Sequence, residues 1–245
     1  MVYYDSSVNG ARIQFFISPT DIRHEALIDM DCSGVRSPNN DYYTNNAERG
    51  MTMNVIAKKA ELRADIIRLL TAIPREERER ESEAIVRNIL ALPEYGQART
   101  VYCFIGGGWE VDTRPILEDA LAAGKVVCVP RCEADGGMAA HRIEGLEDLQ
   151  ATGLFGIPEP FEHCEIVSSG AIDFAIVPCL CADRKGMRLG RGGGYYDRFL
   201  SVFHGTSATV CYSAALRKQV PADAHDQRID CVVTADKVYR SADSK

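Results

Sequence analysis

"TVYCFIGGGWEVDTRPILEDALAAGKVVCVP" (100–130) opens and closes on short apolar runs and carries a helical pattern between them. "TVYCFI" (100–105) reads as a buried strand, "TRPILEDALAAG" (113–124) as a helix closed by Gly124, and "KVVCVP" (125–130) as a second strand. A strand, a helix and a strand in succession make a parallel crossover unit.

The alternation continues outward. Upstream, "NVIAKKAELRADIIRLLTAI" (54–73) sets Leu62, Ile66, Leu69 and Leu70 at helical spacing. A second helix begins near Pro74, a residue suited to a first helical turn. Its run "REERERESE" reads as a solvated face, with Ile85, Ile89 and Leu90 turned inward. Downstream, "MAAHRI" (138–143) is a weaker strand and "IDFAIVP" (172–178) a strong one. A helix starts within "GGYYDRFLSVF", and "ATVCYS" (208–213) and "CVVT" (231–234) follow as strands. The fold class expected is α/β: a mostly parallel central sheet flanked by helices on both faces, in a single domain with an N-terminal helical pair. That domain spans 51–245. Residues 1–50 differ in texture: "SPNNDYYTNNAERG" (37–50) is rich in turn formers, and the segment is expected to be a poorly ordered extension.

The chain's 245 residues suffice for one such domain with an appendage. At 46% hydrophobic and 26% charged, its make-up is that of an ordinary soluble globular chain. The net charge of −7 argues against non-specific nucleic-acid binding, so an anionic ligand must be caught by local charge. No apolar run approaches the roughly eighteen residues of a membrane span, and the N-terminus reads as neither signal nor transit peptide. Most of the nine cysteines sit inside apolar runs, such as Cys103, Cys128, Cys211 and Cys231. That is the placement of small buried hydrophobes in a reduced, cytoplasmic protein. Cys179 with Cys181 and Cys128 with Cys132 lack the spacing of paired zinc knuckles. His141 and His163 have no partner in sequence and receive no role.

Ligands of such a sheet bind at the carboxyl ends of its strands. "GGGWEVDT" (106–113) lies there, and so does "CLCADRKGMRLGRGGG" (179–194), read as a long loop. The latter leads into "RLGRGGGYYDRFL" (188–200). Gly190, Gly192, Gly193 and Gly194 leave a bare backbone whose N–H groups can form an anion nest, followed by a helix N-terminus. Arg188 and Arg191 add planar forks suited to phosphate, and Tyr195 and Tyr196 offer flat faces for a heteroaromatic ring. Asp197 is placed to hold Mg²⁺ that bridges phosphates, and its replacement is expected to spare the fold. The block is neither a Walker A loop nor G-x-G-x-x-G, because Tyr195 stands where the last glycine belongs. The residues alone point to a non-standard nucleotide or phosphate site.

The same block resembles the signature of the 5-formyltetrahydrofolate cyclo-ligase family. So do Lys59, Leu62 and Arg63 in "KAELR", "EVDT" (110–113), "VPR" (129–131), "GIPEP" (156–160) and "VPADAHDQRID" (220–230), in that order. The resemblance covers roughly 54–240, and "GGGW" (106–109) departs from it, since relatives carry bulkier or polar residues there. It implies an enzyme that closes 5-formyltetrahydrofolate to 5,10-methenyltetrahydrofolate with ATP and Mg²⁺, by phosphorylating the formyl oxygen, and releases ADP and phosphate. It further implies ATP contacts from Lys59, Arg63 and the run Arg188, Leu189, Gly190, Arg191, Gly192, Gly193, Gly194, Tyr195 and Tyr196. Folate is implied to meet Ile105, Glu110 and Tyr195, and Mg²⁺ to meet Asp197 and Asp226. Glu110 is expected to act away from the glycine block, and Trp109 either stacks on folate or simply packs. The partners expected are these small molecules, taken up by a monomer, with no nucleic acid or membrane.

Overall fold

The computed structural model describes residues 2–8, 11–17, 42–133, 137–150 and 157–241, with side chains from residue 54. The chain divides into two compact units, Met1–Arg49 and Gly50–Lys245. In the first, β1 (Val2–Val8) and β2 (Ala11–Ile17) pair antiparallel. The expectation for 18–41 lies outside the described residues.

From Gly50 onward α1 (Tyr42–Ala72) lies in the second unit, where it forms the helical pair with α2 (Arg75–Leu90). Pro74 stands one place before the first helical residue, and its carbonyl accepts from Glu77 and Arg78 N–H at 3.1 and 3.0 Å. Ser82, Ile85, Val86 and Ile89 are buried at helical spacing, while Glu83 and Arg87 between them face solvent. A short α3 (Pro93–Gln97) precedes β3 (Thr100–Cys103), α4 (Arg114–Ala122) and β4 (Val126–Cys132). Gly124 follows α4 with φ +69°, the left-handed geometry that closes a helix. Next come β5 (Met138–Ile143), β6 (Leu149–Gln150), β7 (Glu159–Pro160), β8 (Ile166–Val167) and β9 (Phe174–Val177). The chain then forms β10 (Cys181–Asp183), β11 (Arg188–Leu189), α5 (Tyr195–Ser201) and β12 (Thr206–Val210). It ends with β13 (Leu216–Arg217), β14 (Cys231–Val233) and β15 (Val238–Arg240).

Among the described residues the main sheet has the order β15-β14-β12-β9-β3-β4-β5-β8. Its inner pairs are parallel, and β15, β5 and β8 join antiparallel at the edges. Alternate residues of the inner strands bury into opposite layers, as a two-sided sheet requires. Val101, Val127 and Phe174 join Ile66, Ile85 and Ile116 of the helices α1, α2 and α4. Tyr102, Cys128 and Ala175 join Phe199, Leu200 and Phe203 around α5, with the Tyr102 and Phe199 rings stacked at 4.6 Å. The α/β fold expected from the sequence is the fold observed.

The strand order reverses between β3 and β9. From β3 the sheet grows to β4 on one side, and from β9 to β12 and β14 on the other. Carboxyl ends of strands at such a reversal leave a crevice for ligands.

The segment read as a long loop after β9 is partly regular. β10 and β11 make an antiparallel hairpin, and β13 pairs parallel to β10. Asp183, buried at its turn, accepts Lys185 and Met187 N–H at Oδ1 and Val220 N–H at Oδ2, at 2.9, 3.2 and 3.0 Å. Gly186, with φ +86°, lies so close to the Ile229 backbone that a Cβ would meet Ile229 O at 2.2 Å. The hairpin thus holds the segment that carries Asp223 and Asp226.

Candidate active site

Phe104, Trp109 and Glu110 after β3, Pro178 and Leu180 after β9, and Tyr212 after β12 line the crevice at the reversal. The loop from 104 to 113 is anchored at both ends. Thr113, fully buried, donates its hydroxyl to Phe104 O at 2.7 Å and accepts Gly106 N–H at 3.0 Å. At Gly106 a Cβ would meet Val111 O at 1.9 Å, so the bend admits only glycine. Tyr212 O–H donates to Glu110 O at 3.0 Å and lies 3.2 Å from Ser82 Oγ, which accepts Asp112 N–H at 3.3 Å. Thr113 spends its hydroxyl on this loop, and Asp112 Oδ1 takes the α4 N-terminal Arg114 N–H at 3.0 Å.

Glu110 is thereby fixed in the crevice. Its Oε1 accepts from Arg191 Nη2 at 2.9 Å and Nε at 3.3 Å, and its side chain is only 11% exposed. This corrects the expectation that Glu110 acts away from the glycine block: both loops end strands that flank one crevice, so they meet. The Arg191 guanidinium also lies over the Trp109 ring, 4.6 Å from its centroid.

A ring of contacts closes around the glycine block. Lys59 and Arg63, one turn apart on α1, face the same way. Buried Lys59 donates to Asp223 Oδ2 at 2.7 Å and Asp226 Oδ2 at 2.5 Å. Asp226 Oδ2 also accepts Asp223 N–H at 2.7 Å. The next residue, Gln227, gives its N–H to Asp197 Oδ1 at 3.1 Å, where Arg188 Nη2 also donates at 3.0 Å. Arg63 Nε completes the ring on Gly190 O at 2.9 Å. Lys59, Arg63, Arg188, the glycines, Asp197 and Asp226 are therefore brought together from three separate stretches of chain.

Within the block, Gly192 and Gly194 have φ +107° and +68°, and Gly194 is the N-cap of α5. Arg188 is buried, and its Nε has no partner among the described residues. Burial pulls the Arg63 guanidinium below its ordinary value, opposed by the Asp226 charge. Lys59, donating to Asp223, holds that carboxyl below the usual carboxylate range. The Leu189 side chain is buried in the core. Tyr196 packs against both core layers, and burial pushes its phenol up. Ile105 packs half-buried just before the bend, and the Tyr195 ring lies 5.0 Å from the Arg198 guanidinium.

Asp197 is no bare ligand. It neutralises buried Arg188 and holds the 227 backbone, so the expectation that its replacement spares the fold is corrected. Oδ2 of Asp197 and Oδ1 of Asp226 take no hydrogen bond among the described residues. No group of three or more His, Cys, Asp or Glu gathers there or elsewhere among those residues. Two carboxylates with one oxygen spare each suit a hard cation that draws its other ligands from phosphate and water.

Sequence reading missed Ser82, Thr113, Asp183, Tyr212 and Asp223. The spacing of two aspartates in "DAHD" (223–226) was the one signal available for the last. His141 is buried in β5 with Nδ1 2.9 Å from Cys164 O.

Known proteins resemble the chain over most of its second unit. Residues 55–235 match the 5-formyltetrahydrofolate cyclo-ligase family. The chain is 31% identical over 196 residues to the 5-formyltetrahydrofolate cyclo-ligase of Mus musculus, covering 75% of this chain and 97% of that protein. It is 30% identical over 172 residues to the enzyme of the same name from Escherichia coli K12, covering 68% and 93%. The solution structure of Aquifex aeolicus 5,10-methenyltetrahydrofolate synthetase superposes with a TM-score of 0.69 at 34% identity, covering 76% of this chain and 94% of that one. With the glycine block, the "EVDT" loop and the "DAHD" segment gathered at one strand-order reversal, the chain belongs to the 5-formyltetrahydrofolate cyclo-ligase family.

Proposed function

We propose that the protein converts 5-formyltetrahydrofolate to 5,10-methenyltetrahydrofolate at this crevice, with ATP as phosphoryl donor and Mg²⁺ as cofactor. The observation that carries the reading is the Glu110–Arg191 pair at 2.9 Å, which joins a carboxylate in an apolar crevice to a glycine-rich, basic loop.

A formyl amide oxygen is a poor leaving group, so N10 cannot close the ring directly. Transfer of the γ-phosphoryl group to that oxygen releases ADP and leaves an imidate phosphate. N10 then attacks the formyl carbon, the C–O bond breaks, phosphate departs with the oxygen, and N10 loses its proton. The protein's task is alignment and charge neutralisation. Lys59, Arg63, Arg188 and Arg191 hold the phosphates, with backbone N–H groups from Leu189 to Tyr196 as a nest. The orphaned Nε of Arg188 and the positive φ of Gly192 and Gly194 support that part. Asp197 and Asp226 hold Mg²⁺, which when bound screens the charge on the phosphate oxygens. Glu110 accepts from N–H groups of the reduced pterin, between Ile105 and Tyr195.

Eight free thiols among the described residues favour a cytoplasmic setting. No described helix is long and apolar enough to cross a membrane. Mixing the protein with 5-formyltetrahydrofolate, ATP and Mg²⁺, and following the methenyl absorbance, tests the reaction. An Ala variant of Glu110 that keeps full turnover overturns the assignment of the folate end.

A further inference from the structure

We propose that Trp109 is the positioning residue of Arg191: its indole face is the shelf that holds the guanidinium between the nucleotide loop and Glu110. The proposal rests on the reading of Arg191 as a phosphate ligand.

Apart from the Glu110 carboxylate, Arg191 has little else to order it. It stands between Gly190 and Gly192, the latter at φ +107°, and its side chain is 49% exposed. A long side chain on a glycine-rich turn samples many rotamers, and ordering it on the ligand costs affinity. The loop on the other side is the opposite. Glu110 N–H donates to Gly107 O at 3.1 Å, Gly106 N–H to Thr113 Oγ1 at 3.0 Å, and Tyr212 O–H to Glu110 O at 3.0 Å. Trp109 packs half-buried against the core from this fixed bend. A Cβ at Gly107 or Gly108 would meet nothing within 4 Å, so the indole is the one bulky group the bend presents before Glu110.

The contact chemistry fits a shelf. The negative face of the indole attracts the guanidinium, whose centre lies 4.6 Å from the ring centroid, without consuming any of its N–H donors. Nε and Nη2 go to Glu110 at 3.3 and 2.9 Å, and the rest of the fork stays available for phosphate oxygens.

The full-length protein decides it through the KM values of Trp109→Leu, Trp109→Phe, Arg191→Met and the Leu/Met double variant. Trp109→Leu is expected to raise KM for MgATP about two- to fivefold, the loss typical of an exposed cation–π contact, and to leave KM for folate unchanged. Trp109→Phe keeps an aromatic face and recovers most of the loss. In Arg191→Met the leucine change adds nothing further. Trp109 is the chain's single tryptophan, so its emission reports the shelf directly. MgADP without folate is expected to shift the emission of the parent and not that of Arg191→Met, a reading that needs no Trp109 variant to fold. A rise confined to the folate KM overturns the proposal, because the indole then serves the pterin. So does a leucine effect that persists in Arg191→Met, or an emission response that survives there. A parental MgATP KM in Trp109→Leu beside a raised one in Arg191→Met overturns the shelf alone. Parental MgATP affinity in Arg191→Met overturns the phosphate reading and the shelf together.

Discussion

Glu110 and Arg191 stand 81 positions apart in the chain, yet a 2.9 Å ion pair joins the loop after β3 to the loop after β11. A carboxylate 11% exposed and a guanidinium 49% exposed form it, so solvent screens the pair on the arginine side. Such a pair contributes less than about 1 kcal/mol to folding. Glu110→Gln is therefore expected to leave the melting temperature nearly unchanged. It removes a charged acceptor from the folate end, a loss of about 1.5–3 kcal/mol in binding. Folate KM should rise roughly ten- to a hundredfold, and MgATP KM much less. Steady-state kinetics beside a thermal melt separates the two effects.

Thr113 links Phe104 O and Gly106 N–H across the base of the bend that carries Glu110. Thr113→Val keeps the shape and leaves the buried Phe104 O and the partly buried Gly106 N–H without this partner. The expected cost is about 1–3 kcal/mol, and each kcal/mol lowers the melting temperature of a domain this size by about 2–4 °C. Thr113→Ser retains the hydroxyl and should recover most of the loss. A valine variant that melts like the parent would show that the bend holds itself.

The strands and helices around 100–130 were legible because their signals are local: apolar runs, helical spacing and a closing glycine. The hairpin of β10 and β11 was not, since strands of two or three residues are too short to show a period. The role of Thr113 was hidden for a related reason. A threonine before a helix signals a cap, and only the folded bend shows that its hydroxyl is taken elsewhere. The glycine block announced its own chemistry through its composition. Its pairing with Glu110, and Lys59 with Asp223 and Asp226, joined residues too distant in sequence for any local pattern to connect.

Lys59 holds Asp223 below its ordinary value of about 3.9, so the folded state favours the ionised carboxylate. A depressed carboxylate contributes stability that is fully present above the unfolded value and lost as pH falls through the folded one. The protein should therefore lose stability from this contact as pH drops below about 4. Asp223→Asn should shallow that part of the acid transition and lower stability at neutral pH. Melting temperatures between neutral and acid pH, parent against variant, check the sign.

Asp197 serves Arg188 at 3.0 Å and the Gln227 N–H at 3.1 Å while leaving Oδ2 to a cation. Asp197→Asn retains an oxygen for both donors but no charge to balance the buried guanidinium. Stability should fall measurably, and the Mg²⁺ concentration for half-maximal turnover should rise at least about tenfold. A Mg²⁺ titration at saturating ATP that matches the parent would remove Asp197 from the metal assignment.

The central claim is ATP-driven cyclisation at the crevice where these loops meet. Its most direct measurement follows methenyl absorbance and ADP together in one reaction of protein, 5-formyltetrahydrofolate, Mg²⁺ and ATP. The account expects methenyl product and ADP to form in equal amounts, and neither to form when ATP or folate is omitted. Methenyl product without ADP, or ADP without methenyl product, would contradict it.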